Sequence, residues 1–374
     1  MAAGVTTLPT PQSRRNNIGT LRLVGALVVL VGHGFVLSSA DGRTEDALSH
    51  ATGDVFAFHL GLPGIGVSMF FAISGYLVAQ SYQRRGSFWA YTEARLLRIY
   101  PALWLAVGLT IAVGAVVTTL GAEQFASNKR TIFYALGSGS LLDLQYTLPG
   151  VFESNPSHAV NGSLWTLPVE LKMYLFVAIV GLAGVLGRRW LFNAVAAAAL
   201  AFAVIWPESF PLLSNVDHQR LAIFFLAGSV LYVNRDAIPL RGAGVLGLAA
   251  LAAALSWTDA YPVAFALAFS YAVLWLGFTQ RPRLPDLSSR GDLSYATYLF
   301  AFPVTQLWIS AVGAGKPWLV IGLTTATVLP LAYFSWQLIE ERALRLKGRL
   351  VPAKLTGRSV IVPPASSGER RGVS

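Results

Sequence analysis

Residues 18–38 read IGTLRLVGALVVLVGHGFVLS, a nearly continuous apolar run. Its only ionisable side chains are Arg22 and His33. A helix of this length rises about 30 Å, which is the thickness of the hydrocarbon core of a bilayer. The stretch therefore predicts a transmembrane helix that carries two polar groups at a cost in free energy.

Apolar stretches of the same kind recur along the 374 residues. Hydrophobic residues make up 54% of the chain and charged residues only 12%, whereas a soluble domain carries about 25% charged residues. The predicted spans are 18–38, 64–82, 99–120, 166–187, 191–206, 218–233, 242–257, 260–279, 293–311 and 318–338. The predicted fold class is an all-α polytopic membrane protein with about ten transmembrane helices.

The basic residues alternate between the loops that these spans define. With the N-terminus inside, 21 of the 28 Lys and Arg residues fall in cytoplasmic segments and five fall outside. Cytoplasmic loops of membrane proteins carry this excess of positive charge. We therefore expect both termini to be cytoplasmic in a multi-pass protein of the inner (cytoplasmic) membrane. Topology accounts for the net charge of +10, so a nucleic-acid partner is not expected.

Three regions follow from this pattern. Residues 1–17 form a cytoplasmic N-terminal segment without signal-peptide features, and 18–348 form the transmembrane domain. Within it, 121–165 is the longest external segment and a candidate lid, with an apolar half-length stretch at 131–142 that suggests an interfacial or re-entrant helix. The composition of 349–374 predicts a disordered cytoplasmic tail. The chain has no cysteine and no close histidine pair, so no metal is expected.

Arg22 and His33 are eleven residues apart, which places them within about 20° of each other on one helix face and about 16 Å apart along the axis. Arg22 lies near the cytoplasmic end, where it suits a phosphate or snorkels to lipid headgroups. His33 lies about five residues from the outer end. It suits a catalytic base, or a simple hydrogen bond to a neighbouring helix.

Residues 161–172 read NGSLWTLPVELK and open the fourth span. Glu170 then lies about four residues below the outer surface, at nearly the depth of His33. A carboxylate at that depth would orient the imidazole and stabilise its protonated form. The alternative is neutralisation of Glu170 by Lys172, although residues two apart point to different helix faces.

Residues 93–101 read EARLLRIYP and enter the third span. Arg95 and Arg98 share a helix face, and their planar guanidinium groups match phosphate oxygens. An ordinary cytoplasmic loop has the same appearance. In the second span, Ser74 suits a hydrogen bond to a ligand, and Ser74 with Gly75 equally suits close helix packing.

Taken together, these segments resemble the membrane-bound acyltransferase-3 family of cell-surface O-acyltransferases. The matching blocks run in chain order over about residues 18–345. They are Arg22-x10-His33, GVSMFFAISGYL at 66–77, Arg95-x-x-Arg98 with IYP, SLWTLPVE at 163–170, SYATYL at 294–299 and IE at 339–340. Many members have a histidine just after the SYxxYL block, where this chain has AFP at 301–303.

The resemblance implies a bacterial cell-envelope enzyme that moves an acyl group, usually acetyl, from cytoplasmic acyl-CoA to an outer hydroxyl. In that scheme Arg22, Arg95, Arg98 and Ser74 bind acetyl-CoA or another acyl-CoA, and His33 acts as general base or acyl carrier with Glu170. Expected acceptors are a saccharide or glycolipid, or alternatively a lipid or antibiotic hydroxyl. The competing hypothesis is a transporter or flippase of a lipid-linked or acylated sugar, using the same polar groove without chemistry.

Overall fold

The computed structural model describes residues 16–39, 60–206 and 215–351. Every regular element in these ranges is helical. The α-helices, in chain order, are α1 (Ile18–Leu37), α2 (Leu62–Arg85), α3 (Phe88–Val117), α4 (Ala122–Ser127), α5 (Lys129–Phe133), α6 (Thr166–Leu182), α7 (Arg189–Ile205), α8 (Val216–Val233), α9 (Gly242–Ala254), α10 (Tyr261–Phe278), α11 (Ser294–Val312), α12 (Pro317–Ser335) and α13 (Glu341–Leu344). A 3-10 turn, Gly162–Trp165, precedes α6, and a π-helical turn, Trp336–Glu340, joins α12 to α13.

A helix occupies each of the ten predicted spans, which confirms the all-helical class. Within the described residues, six stretches are long and apolar enough to cross a bilayer: Ile18–Leu37, Leu62–Arg85, Phe88–Val117, Gly162–Leu182, Tyr261–Phe278 and Pro317–Leu344. The helices α7 and α9 have 17 and 13 residues, so they rise only about 25 and 20 Å. A crossing by α7, α8, α9 and α11 stays a prediction.

The largest difference from the predicted bounds is in α3, which begins at Phe88 rather than at residue 99. Arg95 and Arg98 therefore lie inside a regular helix and not in a loop. Their spacing of three residues places both side chains on the face that turns toward the centre of the bundle. Pro101, one turn further along, is accommodated inside the helix.

The helices α2 and α8 approach each other through glycines. A Cβ on Gly75 would lie 1.9 Å from the carbonyl oxygen of Phe225, and a Cβ on Gly228 would lie 2.1 Å from that of Ala72. The Ser229 hydroxyl donates a hydrogen bond to the Gly75 carbonyl at 3.1 Å. The predicted close packing at Gly75 is confirmed, and it fixes the neighbouring Ser74 relative to the rest of the bundle.

Part of the segment 121–165 packs against the bundle, and its location on the outer side of the membrane stays a prediction. After α5 and a π-helical turn, Tyr134–Ser138, it reaches α11, where the Gln306 amide donates to the carbonyl oxygens of Ser157 at 2.7 Å and Ala159 at 2.6 Å. Asn161 then donates to the Leu299 carbonyl at 3.0 Å. Because Asn161 is 1% exposed, α6 begins below the surface of the bundle.

The helices α1 and α3 begin, and α2 ends, at one end of the bundle, which carries Arg22, Arg85, Arg95 and Arg98. We call this the basic end, and the opposite end the His33 end. Which of them faces the cytoplasm stays a prediction. Residues 1–15 of the predicted N-terminal segment and 352–374 of the predicted tail lie outside the described residues.

Candidate active site

A central cavity of about 220 Å³ lies among α1, α2, α3, α6 and α11. Five of the six predicted site residues line it: Arg22, Ser74, Arg95, Arg98 and Glu170. Sequence motifs from four different helices therefore converge on one space. The remaining wall combines aliphatic side chains with aromatic and hydroxyl side chains, among the latter Thr166, Tyr174, Tyr295 and Tyr298.

The floor of the central cavity is an ion cluster of two arginines and two acids. Asp292, in the loop before α11, binds both Arg22 and Arg98, with 2.8 Å to Nη2 of Arg98. The other nitrogen of Arg98, Nη1, lies 3.4 Å from Glu340 in the turn after α12. Four elements that are distant in sequence are thus joined through alternating charges.

Asp292 stays ionised in this environment. Burial alone would raise the pKa of its carboxyl group, but the charges of Arg22 and Arg98 and hydrogen bonds from Ser294 hold that pKa well below its usual range. The charges of Arg22 and Arg98 are therefore partly balanced before any ligand binds.

Arg95 differs from these two arginines. Among the described residues no carboxylate lies within 4 Å of its guanidinium group. Its Nη2 lies 3.5 Å from the Ser81 hydroxyl, its guanidinium lies over the Tyr174 ring at 5.5 Å, and its buried Nε has no described hydrogen-bond partner. The cavity wall thus presents one cation whose charge is not balanced by an acid.

Glu170 forms a hydrogen-bonded group with Ser74 and Tyr174. Both hydroxyl groups donate to its Oε1 atom, that of Ser74 at 3.4 Å. Tyr174 is one helical turn beyond Glu170, and its own carbonyl accepts a hydrogen bond from Tyr91 at 2.9 Å. This arrangement fixes the carboxylate in the cavity wall.

His33 does not line the central cavity. Its ring packs edge-on against Phe302, with ring centroids 5.2 Å apart, and Phe302 also covers Gly162, where a Cβ would lie 2.6 Å from the ring. These three residues share one level near the His33 end. Glu170 lies eight residues beyond Gly162, about 12 Å closer to the basic end.

The expectation that Glu170 and His33 share a depth is therefore wrong. The sequence places the start of the fourth span at the outer surface, whereas the Asn161 hydrogen bond to Leu299 draws the start of α6 into the bundle. One turn deeper, the hydroxyl groups of Thr166 and Tyr298 are 2.8 Å apart. Glu170 lies one further turn along α6, at the level of Ser74, whose hydroxyl donates a hydrogen bond to it.

Sequence reasoning missed Asp292 and Glu340 as members of the site. Glu340 stands in the IE block, to which no role was assigned, and Asp292 is an acid in a loop otherwise rich in arginine. The available signal is an acid beside basic residues in a predicted cytoplasmic segment, where it can form an ion pair. The partner of each acid is not readable from local spacing.

Comparisons with known proteins bear on this site. A family model described as an acyltransferase domain, acyltransferase-3, matches residues 15–336. An O-acetyl transferase of Shigella phage Sf6 is 29% identical over 343 residues, covering 88% of this chain and 96% of its own length. Nodulation protein 10 of Rhizobium leguminosarum bv. viciae is 30% identical over 379 residues, covering 91% and 96%.

A more partial similarity covers 183 residues of the regulator of hypoxia-inducible factor 1 from Caenorhabditis elegans, at 26% identity over 45% of this chain and 34% of that protein. No solved structure matches the chain significantly. The family match spans α1 to α12, and so includes every helix that lines the central cavity. It confirms the resemblance seen in the order of the motifs. This chain is a multi-pass membrane protein that belongs to the acyltransferase-3 family.

Proposed function

We propose that this protein transfers an acyl group, acetyl in the simplest case, from cytoplasmic acyl-CoA to a hydroxyl of a saccharide or glycolipid on the outer side of the inner membrane. The observation that carries the proposal is Arg95, a guanidinium in the wall of the central cavity with no described carboxylate partner. Guanidinium groups bind phosphate oxygens through paired, charge-assisted hydrogen bonds. A donor that carries phosphates supplies the missing counter-charge.

In this proposal the donor enters from the basic end. Arg95 binds its phosphates, and Arg22 and Arg98, already held by Asp292 and Glu340, form a rigid floor. The thioester then has to reach His33, about 16 Å from Arg22 along α1. A long pantetheine arm passing through the cavity covers this distance. Glu170 and Ser74 lie along that path and offer hydrogen bonds to its amide groups.

His33 acts at the far end of the path. In direct transfer, a ring nitrogen of His33 takes the proton of the acceptor hydroxyl while the hydroxyl oxygen attacks the thioester carbonyl carbon. A C–O bond forms, the C–S bond breaks, and the leaving thiolate takes the proton back from the imidazolium. In the covalent route, His33 attacks the thioester first and releases the thiol, and the acceptor hydroxyl then cleaves the acyl-imidazole.

The names of two relatives bear on the acyl group and on the class of acceptor. One is named an O-acetyl transferase and the other a nodulation protein, so acetyl and an oxygen acceptor are the simplest assignment here. Phe302 packs against His33 and also against Gly162, the first residue of the 3-10 turn Gly162–Trp165. In that turn the Trp165 ring stacks on the His218 ring, with centroids 5.7 Å apart, and this aromatic pair is a candidate surface for a sugar ring.

The test uses a strain lacking the gene, complemented with wild type or with His33→Ala at equal membrane levels. We expect wild type to restore an ester on envelope glycans or lipids, and His33→Ala to restore none while the purified variant still binds labelled acetyl-CoA. Full activity of His33→Ala would overturn the mechanism. Absence of acetyl-CoA binding by wild type would overturn the donor and favour the transporter hypothesis. Label retained on the protein without acceptor would identify the covalent route.

A further inference from the structure

A second group of cations lies beside the ion cluster and is not part of it. The Ser81 hydroxyl lies 3.3 Å from Nε of Arg85 and 3.5 Å from Nη2 of Arg95, and both nitrogens donate to it. Arg85 is the last residue of α2 and Arg95 lies in the second turn of α3. One hydroxyl thus draws two guanidinium groups from different helices together at the basic end.

Glu93 brings a third cation to the same place. This acid is only 5% exposed, and its two oxygens accept hydrogen bonds from the backbone N–H groups of Gly348 at 2.7 Å and Leu350 at 2.9 Å. The chain after α13 is thereby tied to the start of α3. The bond at Gly348 places the neighbouring Lys347 near the start of α3, where the charge of Arg95 acts on it.

Lys347 lies among positive charges from α2 and α3. Burial and the positive charges of Arg95, Arg85 and Arg98 lower the pKa of Lys347 to about 8. Among the described residues, Glu93 is an acid at this junction, and its carboxylate accepts hydrogen bonds from two backbone amides. Like charges gathered at one point cost free energy unless an anion joins them.

We propose that Arg85, Arg95 and Lys347 form the site that binds the phosphate groups of the acyl donor, and that Glu93 is the positioning residue that sets Lys347 in it. This inference rests on the proposed function, since it names the part of the protein that recognises the donor. A phosphate matches the site because it carries several oxygens and more than one negative charge, which suits three cations from three directions. Arg95 belongs both to this phosphate site and to the wall of the central cavity, so a donor bound here points its arm into the cavity.

A lipid headgroup is the other source of phosphate at this end of the bundle. The continuity with the central cavity favours the donor, because Arg95 faces the cavity that leads toward Ser74 and Glu170. The experiment therefore separates soluble donor from lipid.

The test measures binding of acetyl-CoA and of phosphate-free acetyl-pantetheine to purified full-length protein in neutral, lipid-free detergent. The variants are Arg85→Met, Lys347→Met and Glu93→Gln, with Lys347→Arg retaining the charge. Arg349→Met is the matched control, because Arg349 is an exposed cation in the same segment. We expect Arg85→Met and Lys347→Met each to weaken acetyl-CoA about tenfold, as loss of one charge-assisted hydrogen bond does, and to leave acetyl-pantetheine unchanged.

Glu93→Gln is assessed by measuring KM and kcat separately, because a general loss of structure would lower kcat in addition to raising KM. We expect it to raise the KM for acetyl-CoA with kcat unchanged, and Lys347→Arg to bind like wild type at pH 7. Equal weakening of both probes, or no weakening relative to Arg349→Met, would overturn the phosphate site. So would a loss confined to binding of phosphatidylglycerol vesicles, which would assign the site to lipid. If wild type binds no acetyl-CoA, the proposed function itself fails.

Discussion

Asp292 accepts a hydrogen bond from Arg98 at 2.8 Å although 194 residues separate them in the chain. The same Asp292 oxygen binds Arg22, so one carboxylate links the first helix, the third helix and the loop before α11. This contact explains why two arginines are tolerated at the floor of the central cavity. The two arginines therefore have a structural role, which is to join these elements through Asp292, in addition to any role in binding a ligand.

We predict that Asp292→Asn lowers the free energy of unfolding by about 2 kcal/mol, because two arginines lose their counter-charge in a site that is only partly open to water. The measurement is thermal unfolding of the detergent-solubilised protein. Glu341→Gln is the control, since Glu341 pairs with Arg345 at the surface and such pairs contribute little. Equal melting temperatures for the two variants would contradict the structural role of Asp292.

A double substitution separates structure from function at Arg22. Arg22→Met alone should lower both stability and acyl transfer, while Arg22→Met combined with Asp292→Asn should recover part of the stability and none of the activity. The recovery is the coupling energy of the pair, which we expect to be about 1–2 kcal/mol. Additive losses in unfolding experiments would show that the two side chains do not interact in the folded protein.

Gly75→Ala should prevent normal packing of α2 on α8, because its Cβ would lie 1.9 Å from a backbone oxygen that cannot rotate away. We expect a loss of about 3 kcal/mol or failure to fold, as for other overpacked sites. Gly108→Ala, inside α3 with nothing within 4 Å of a new Cβ, should be neutral or stabilising by up to about 1 kcal/mol. Fluorescence-detected size-exclusion after heating distinguishes them. Similar behaviour of the two variants would show that α2 and α8 are further apart.

The KM for acetyl-CoA should rise as the pH rises through about 8. The pKa of Lys347 is lowered to about 8, so its charge is present below that pH and is lost above it, whereas bound phosphate favours the charged form. Lys347→Arg should show no such rise, because a guanidinium stays protonated. Steady-state kinetics from pH 6.5 to 9.5 test this. A rise in KM with pH that is the same in Lys347→Arg as in wild type would contradict it.

Glu170→Gln should weaken donor binding and leave the pH dependence set by His33 in place, because the two residues lie at different levels. Ser74→Ala, which removes one hydrogen bond to Glu170, should have the same effect in smaller degree. Donor KM and the pH profile of kcat are the measurements. A shift in the kcat profile of Glu170→Gln would instead support the direct carboxylate–imidazole pair that the sequence suggests.

The helices and most of the candidate site could be predicted from local sequence patterns. Helix periodicity and bilayer thickness are local properties, so the ten apolar segments are found as helices and Arg95 and Arg98 share a face. Five of the six predicted residues line one cavity because each motif fixes which side of its own helix is polar. The order of the motifs was sufficient to identify the family.

The depth of each helix in the bundle and the pairing of its charges depend on contacts between distant segments. The level of Glu170 depends on the hydrogen bond between Asn161 and Leu299, and the position of Lys347 depends on Glu93, 255 residues before Gly348. Such contacts join residues whose spacing carries no periodic signal. Depth and charge pairing are settled when helices pack against each other, through close approaches such as that of Gly75 to Phe225, and not by the preference of any single segment.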